Sequence, residues 1–173
     1  MNSLNRMQDV VSKLRQTSFT TMPAFEHPNL KRQGGLLLHS LNLWMQLEEL
    51  TTKLDLEWSD PTSPFVIAML HHACNIGQYL YNPDYQCWEA NRTKPGHGVR
   101  SLQVAEELGI ELTDEEKACI LYHHGDRNVV DTYLGYTYAE AAIQHPNILW
   151  VHTADLLLEK KYGTTPVEVD YAG

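Results

Sequence analysis

Apolar residues recur every third or fourth position through most of this chain, the spacing of one face of an α-helix. Over residues 4–16, Leu4, Met7, Val10, Val11 and Leu14 form one stripe and predict an amphipathic first helix. A loop through Pro23 and Pro28 follows. From Leu36 to Leu54 the residues Leu37, Leu41, Trp44 and Leu47 align, predicting a long helix that begins just after Gly34-Gly35. Asp60-Pro61 reads as a helix start, since Asp caps free N–H groups and Pro is tolerated in the first turn. The helix it opens is expected to run to about Leu80. Residues 82–96 read as a long loop or short irregular ribbon, of the length that is often functional in a compact domain.

Helices are predicted again at about 97–108 and 113–124. The second is announced by Thr113-Asp-Glu-Glu116, in which the Thr and Glu side chains satisfy each other's backbone donors. Residues 126–136 read as loop, followed by a short helix at 137–144 and a last one at 146–162. Val and Ile are few and do not alternate, so strands of any length are not expected. The predicted class is all-α. With no internal repeat, low-complexity tract or Gly/Ser linker, residues 1–173 read as one domain with a core from about 25 to 162 and a tail at 163–173.

Composition adds limits. A chain of 173 residues buries enough surface to need no disulfide staple, and Cys74, Cys87 and Cys119 form neither a zinc pattern nor a secretory framework. The sequence shows no apolar signal core and no run of membrane-spanning length, so a cytoplasmic protein without a membrane partner is expected. The net charge of −9 and the lack of a basic stripe argue against binding a long nucleic acid, and so against a nuclease. They leave small anions open, because a bound divalent metal reverses the local sign of a site.

The chemistry lies in the histidines. Six of the nine, His39, His71, His72, His97, His123 and His124, stand in or beside small-residue or apolar contexts, and a carboxylate, Asp155, follows in His152-Thr-Ala-Asp155-Leu-Leu. Taken alone, His39 in its Leu-rich segment reads as a core histidine. On a continuous helix the side chains of His71 and His72, like those of His123 and His124, would point about 100° apart, so only one of each pair need face a common centre. Asp155 on an apolar helix is costly unless paired or metal-bound. Imidazole and carboxylate together suit zinc, manganese, iron, nickel or cobalt.

The ordered fragments Gly34-Gly35-Leu-Leu-Leu-His39-Ser40, Leu70-His71-His72-Ala-Cys74-Asn75-Ile76-Gly77-Gln-Tyr79, Pro95-Gly96-His97-Gly98 with Ser101, Tyr122-His123-His124-Gly125 and His152-Thr-Ala-Asp155 resemble the HD-domain metal-dependent phosphohydrolase superfamily. The resemblance is closest to its small single-domain phage and bacterial branch. It implies a helical bundle with a central divalent metal, and hydrolysis of a nucleotide-like small phosphate ester or anhydride. His39, His71 and Asp155 match the family's His, the His of its His-Asp pair and its late Asp. His97 and His123 match the histidines that hold a second metal in binuclear members, where they also serve as candidate proton donors. A homodimer is an expectation by analogy alone.

This chain departs from the pattern at the position after His71, where the family's Asp is replaced by His72, and at Asn75, which stands where the branch often has Lys. An aspartate can bridge two ions, one on each oxygen; a neutral imidazole has one free lone pair and cannot. With His72 as one more ligand, three outcomes stand open: a one-metal site that hydrolyses, a two-metal site bridged only by water, and a fold that binds or sequesters a nucleotide without catalysis. Arg92, Lys94 and Arg100 form the local basic cluster and, with His124, are the candidate substrate contacts, although a solvated loop face would look the same. Trp88 and Tyr85 would stack on a base or close the loop on the bundle. Cys74 reads as core. His27, His145 and His152 read as structural, with His152 placed one turn before Asp155, where it could support a ligand.

Overall fold

The computed structural model describes residues 2–24, 30–77, 79–85, 87–90, 97–125, 134–135 and 137–163. Seven α-helices run through them: α1 (Ser3–Arg15), α2 (Gly35–Leu54), α3 (Ser63–Leu70), α4 (His97–Glu107), α5 (Asp114–Leu121), α6 (Tyr138–Gln144) and α7 (Asn147–Gly163). The helical prediction holds within a residue or two at most ends. The loop expected over 126–136 lies outside the described residues except for Leu134 and Gly135, as does the tail beyond 163.

Three expectations are corrected. The helix assigned from Asp60 to about Leu80 is only α3, starting at Ser63 with Pro64 in its first turn and stopping at Leu70. Asp60 instead closes the preceding turn, its Oδ1 accepting from the Thr62 N–H at 2.8 Å. Beyond α3 the chain makes one 3-10 turn, Ala73–Asn75, and then two antiparallel strands, β1 (Tyr79–Asn82) and β2 (Cys87–Ala90), where helix to about Leu80 and then a long loop or short irregular ribbon were expected. The hairpin escapes a search for Val and Ile because Tyr, Trp and Leu fill its faces. The face that α2 buries is also different: Leu36, His39, Ser40, Leu43 and Leu47 are buried, whereas Leu41 is exposed and Leu37 and Trp44 are half-buried. The apolar stripe points partly outward because His39 and Ser40 occupy the inward positions.

All eight residues of α3 are buried, and this short apolar rod is the axis of the bundle. Helix α2 packs along it and against α7, α5 packs on α3 and α7, and α4 lies against α5 and the 3-10 turn. Gly98 permits the approach of α4 to α5, since a Cβ there would collide with the Leu121 carbonyl, and Gly35 lets the start of α2 sit against the preceding segment, where a Cβ would collide with the Leu30 carbonyl. The Thr113–Glu116 capping box is formed as the sequence predicts, and a second one, Thr137–Glu140, opens α6.

Helix α1 is tied down by charge as well as by Val10 and Leu14. The Arg6 guanidinium donates to both Glu116 carboxylate oxygens, at 2.8 and 2.6 Å, and to Thr62 Oγ1 at 2.8 Å. Glu116 is fully buried and also accepts from Ser63 Oγ and the Thr113 N–H. Arg6→Ala therefore leaves a buried carboxylate without its cation, and the expected cost is about 3 kcal/mol of folding stability. Urea denaturation measures it; a loss below about 1 kcal/mol, the size of a surface pair, would show that the contact is dispensable.

Candidate metal centre

Two helices stop just where their histidine pairs begin. After Leu70 the backbone leaves the helical region at His72 (φ −109°, ψ 22°), and after Leu121 it does so at Tyr122 (φ −108°, ψ 18°). The expected divergence of neighbouring side chains is thereby removed. His71 and His72 stack with ring centroids 4.2 Å apart, and His123 and His124 lie 4.0 Å apart. The His71–His123 and His72–His123 centroids are 5.3 and 4.9 Å apart, so the two pairs face each other.

Helices α2 and α7 complete the cluster. His39 Nε2 lies 2.9 Å from His71 Nε2 and 3.3 Å from Asp155 Oδ1. Asp155 Oδ2 is 3.7 Å from His124 Nδ1. His39, His71, His72, His123 and Asp155 are all buried, whereas His97 and His124 are half-buried, so the cluster meets solvent on their side.

Backbone carbonyls orient the rings. His71 Nδ1 donates to the Ala68 carbonyl at 2.9 Å and His123 Nδ1 to the Ile120 carbonyl at 2.7 Å. In a neutral ring this leaves the Nε2 lone pair bare, the arrangement in which metal-binding histidines are usually held. His123 Nε2 is buried and has no hydrogen-bond partner among the described residues. His152 Nδ1 donates to the His123 carbonyl at 2.7 Å, which braces the second pair from α7. Ser101 Oγ donates to the His71 carbonyl at 2.8 Å and accepts from the Cys74 N–H at 3.0 Å, which fixes the turn after the first pair to α4.

The donor set suits a cation. Two imidazole nitrogens each about 2.1 Å from one ion and at right angles lie about 3 Å apart, the separation of His39 and His71. Among the described residues, two groups have ligand atoms within 4.8 Å of one another: His39, His71 and His72, and His72, His123 and His124. They share His72. Electrostatics agrees. Burial pushes the basicities of His71 and His72 well below that of a free imidazole, and the neighbouring imidazoles add to the effect. His123, lowered by burial and then by His124, titrates at about 3. Burial raises the Asp155 carboxyl, but the His39, His71 and His123 imidazoles outweigh it and hold it below the usual carboxylate range. At neutral pH His71, His72 and His123 thus present neutral nitrogens and Asp155 an anionic oxygen, the protonation states that ligate metals.

Of the residues singled out in the sequence, His39, His71, His72, His123 and Asp155 come together here. His124, expected as a substrate contact, is part of the second ligand group, a role hidden by the assumption that α5 continues through it. His97 stands at the rim, its ring centroid 6.3 Å from that of His72 and its Nδ1 3.5 Å from Cys74 Sγ. Arg100 is paired with Glu107, and Arg92 and Lys94 lie outside the described residues. Ser101 and His152, which brace the two pairs, carry no sequence signal of that support beyond their spacing. Among the described residues no helix is long and apolar enough to cross a membrane. No protein-family description, curated protein or solved structure matches the chain.

A pH dependence follows. Unfolded imidazoles take up protons near pH 6.5, whereas folded His123 does so only at about 3. Between these values the unfolded chain binds more protons, so stability is full above pH 6.5 and falls as pH is lowered, by up to about 1.4 kcal/mol per unit for each such histidine. Chelator-treated protein should show a thermal midpoint that drops steadily from pH 6.5 to 4. A flat profile over that range would contradict neutral, buried imidazoles.

Proposed function

We propose that this protein is a metal-dependent phosphohydrolase of the HD type, holding one divalent ion among His39, His71, His72 and Asp155 and acting on a small nucleotide-like phosphate ester or anhydride. The observation that carries this reading is the convergence of buried imidazoles and one carboxylate from four separate segments, with His71 and His123 fixed by backbone carbonyls. The order of these residues along the chain supports the HD assignment. A bound divalent ion supplies a nucleophile from water near neutral pH and polarises a phosphoryl oxygen.

The chain's own residues do the rest. Asp155 provides the negative charge, His39 spans Asp155 and His71, and the Ala68 carbonyl keeps the His71 Nε2 free. His123, titrating at about 3, has no proton on Nε2 at neutral pH and serves as an acceptor or ligand rather than as a proton donor. Proton delivery to the leaving oxygen falls to His97 and His124, whose half-exposed rings exchange protons with solvent. Substrate enters on their side. Arg92 and Lys94 neutralise its phosphates, and Arg100 joins them only when it releases Glu107.

One observation favours a second reading, in which the fold sequesters a nucleotide without turning it over. Among the metal-facing residues described, Asp155 is the only carboxylate, so two ions would have no bridge. Metal analysis with phosphate release over a panel of nucleoside mono- and triphosphates separates the two. The expected result is about one ion per chain with turnover, and loss of both in Asp155→Asn and His39→Ala. His72→Asp restores a bridging oxygen and should raise turnover about tenfold or more. Nucleotide binding with no product from either the natural chain or H72D would establish sequestration instead.

A further inference from the structure

A groove of about 580 Å³ lies between the β1–β2 hairpin and the segment leading into α2, lined by Thr21, Lys31, Arg32, Gln33, Tyr81 and Trp88. Its two walls differ in chemistry. Tyr81 and Trp88 are direct cross-strand partners, with ring centroids 5.4 Å apart in an edge-to-face arrangement. Trp88 packs partly on the core, but Tyr81 is 51% exposed, more than closing the hairpin onto the bundle requires. The other wall carries Lys31 and Arg32, and neither has a carboxylate partner among the described residues. Strand alternation puts Glu89 on the opposite face from Tyr81 and Trp88, and there it accepts from Asn82 Nδ2 at 2.8 Å. The acid nearest in sequence to the aromatic pair is thus turned away from the groove. In a chain of net charge −9, two cations with no acidic partner among the described residues, set across from two aromatic rings, make an uncommon concavity.

We propose that this groove binds a free mononucleotide, the base against Trp88 and Tyr81 and the phosphate against Lys31 and Arg32. A flat aromatic ring joined to an anion is the ligand class that both walls recognise at once, base–aromatic stacking supplying one half and cationic side chains the other. The volume falls in the range of small-ligand sites. The position is suggestive too. Gly34 and Gly35 carry the Lys31-Arg32-Gln33 wall directly into α2, and His39 follows about 6 Å along that helix from Gly35. The hairpin likewise occupies the chain between His72 and His97. The inference does not depend on the metal chemistry proposed above, because none of the groove residues is a proposed ligand.

The test is isothermal titration of the full chain in the presence of chelator, with AMP, adenosine, inorganic phosphate and a short single-stranded oligonucleotide. AMP should bind about tenfold or more tightly than adenosine or phosphate alone, since only it engages both walls. Charge reversal at Lys31→Glu with Arg32→Glu, and separately Tyr81→Ser, should each weaken AMP about tenfold, and Trp88→Phe should stay within about threefold. Both altered sites are at the surface, and unchanged circular dichroism and thermal midpoint would exclude misfolding. Because the chelator strips any ion from the histidine centre, AMP binding that persists in it separates this inference from the metal reading. Equal affinity for AMP and phosphate, indifference to the charge reversal, or tighter capture of the oligonucleotide would each overturn the mononucleotide assignment.

Discussion

Imidazole and carboxylate are costly to bury, and His39, His71, His72, His123 and Asp155 are buried in mutual contact where an ordinary bundle would place leucines. The surrounding fold is organised to permit this. Helix α3 contributes an apolar rod whose end is the centre of the cluster, so its own packing holds the first histidine pair in place. Helix α5 repeats the device, and α2 and α7 close it with His39 and Asp155. Because the Nδ1 atoms of His71 and His123 are each satisfied by a carbonyl three residues earlier, the lone pairs of these two rings are left on Nε2. Any ligand that stabilises this arrangement must supply positive charge to several nitrogens at once.

Termination of the helices matters as much as their formation. A continuous helix would send His71 and His72 in different directions and would do the same to His123 and His124. The nearly identical backbone angles at His72 and Tyr122 bend the chain before that happens, and the close approach at Gly98 brings α4 against the end of α5. Ser101 then ties the first bend, and His152 the second, to neighbouring helices. Support of this kind comes from different segments, so each bend is held by tertiary contact rather than by local preference alone.

That distinction explains what could be read in the sequence. The helical stretches, the Thr113 capping box and the candidacy of His39, His71, His123 and Asp155 were legible because they depend on local pattern or on residue chemistry. The ends of α3 and α5 were not: nothing in Leu70-His71-His72 or Leu121-Tyr122-His123 is a strong stop signal, and the apolar run invited extension to Leu80. The assignment of His124 to a substrate contact rather than to the ligand cluster followed from that extension; His72 was already a candidate ligand from the order of the motif. The burial of His39 and Ser40 also rotated α2 away from the face chosen by apolar residues alone, since the pattern argument has no term for a buried polar centre. Aromatic strands with no Val or Ile hid the hairpin, and with it the groove.

Charge balance decides how many ions the centre favours. With His71, His72 and His123 neutral, Asp155 contributes the one formal negative charge among these residues, and a single dication leaves a net charge of about +1. Such an ion would reverse the local sign of the site within a chain that is acidic as a whole. A second dication about 4 Å from the first would add repulsion of roughly 16 kcal/mol at an effective dielectric constant of about 20, without an added carboxylate to offset it. The two ligand groups also share His72, whose one free lone pair can serve only one ion. They are therefore better understood as alternative sets around a single ion than as two sites occupied together. An aspartate in place of His72 would change both terms at once, adding a negative charge and a second oxygen able to bridge two ions.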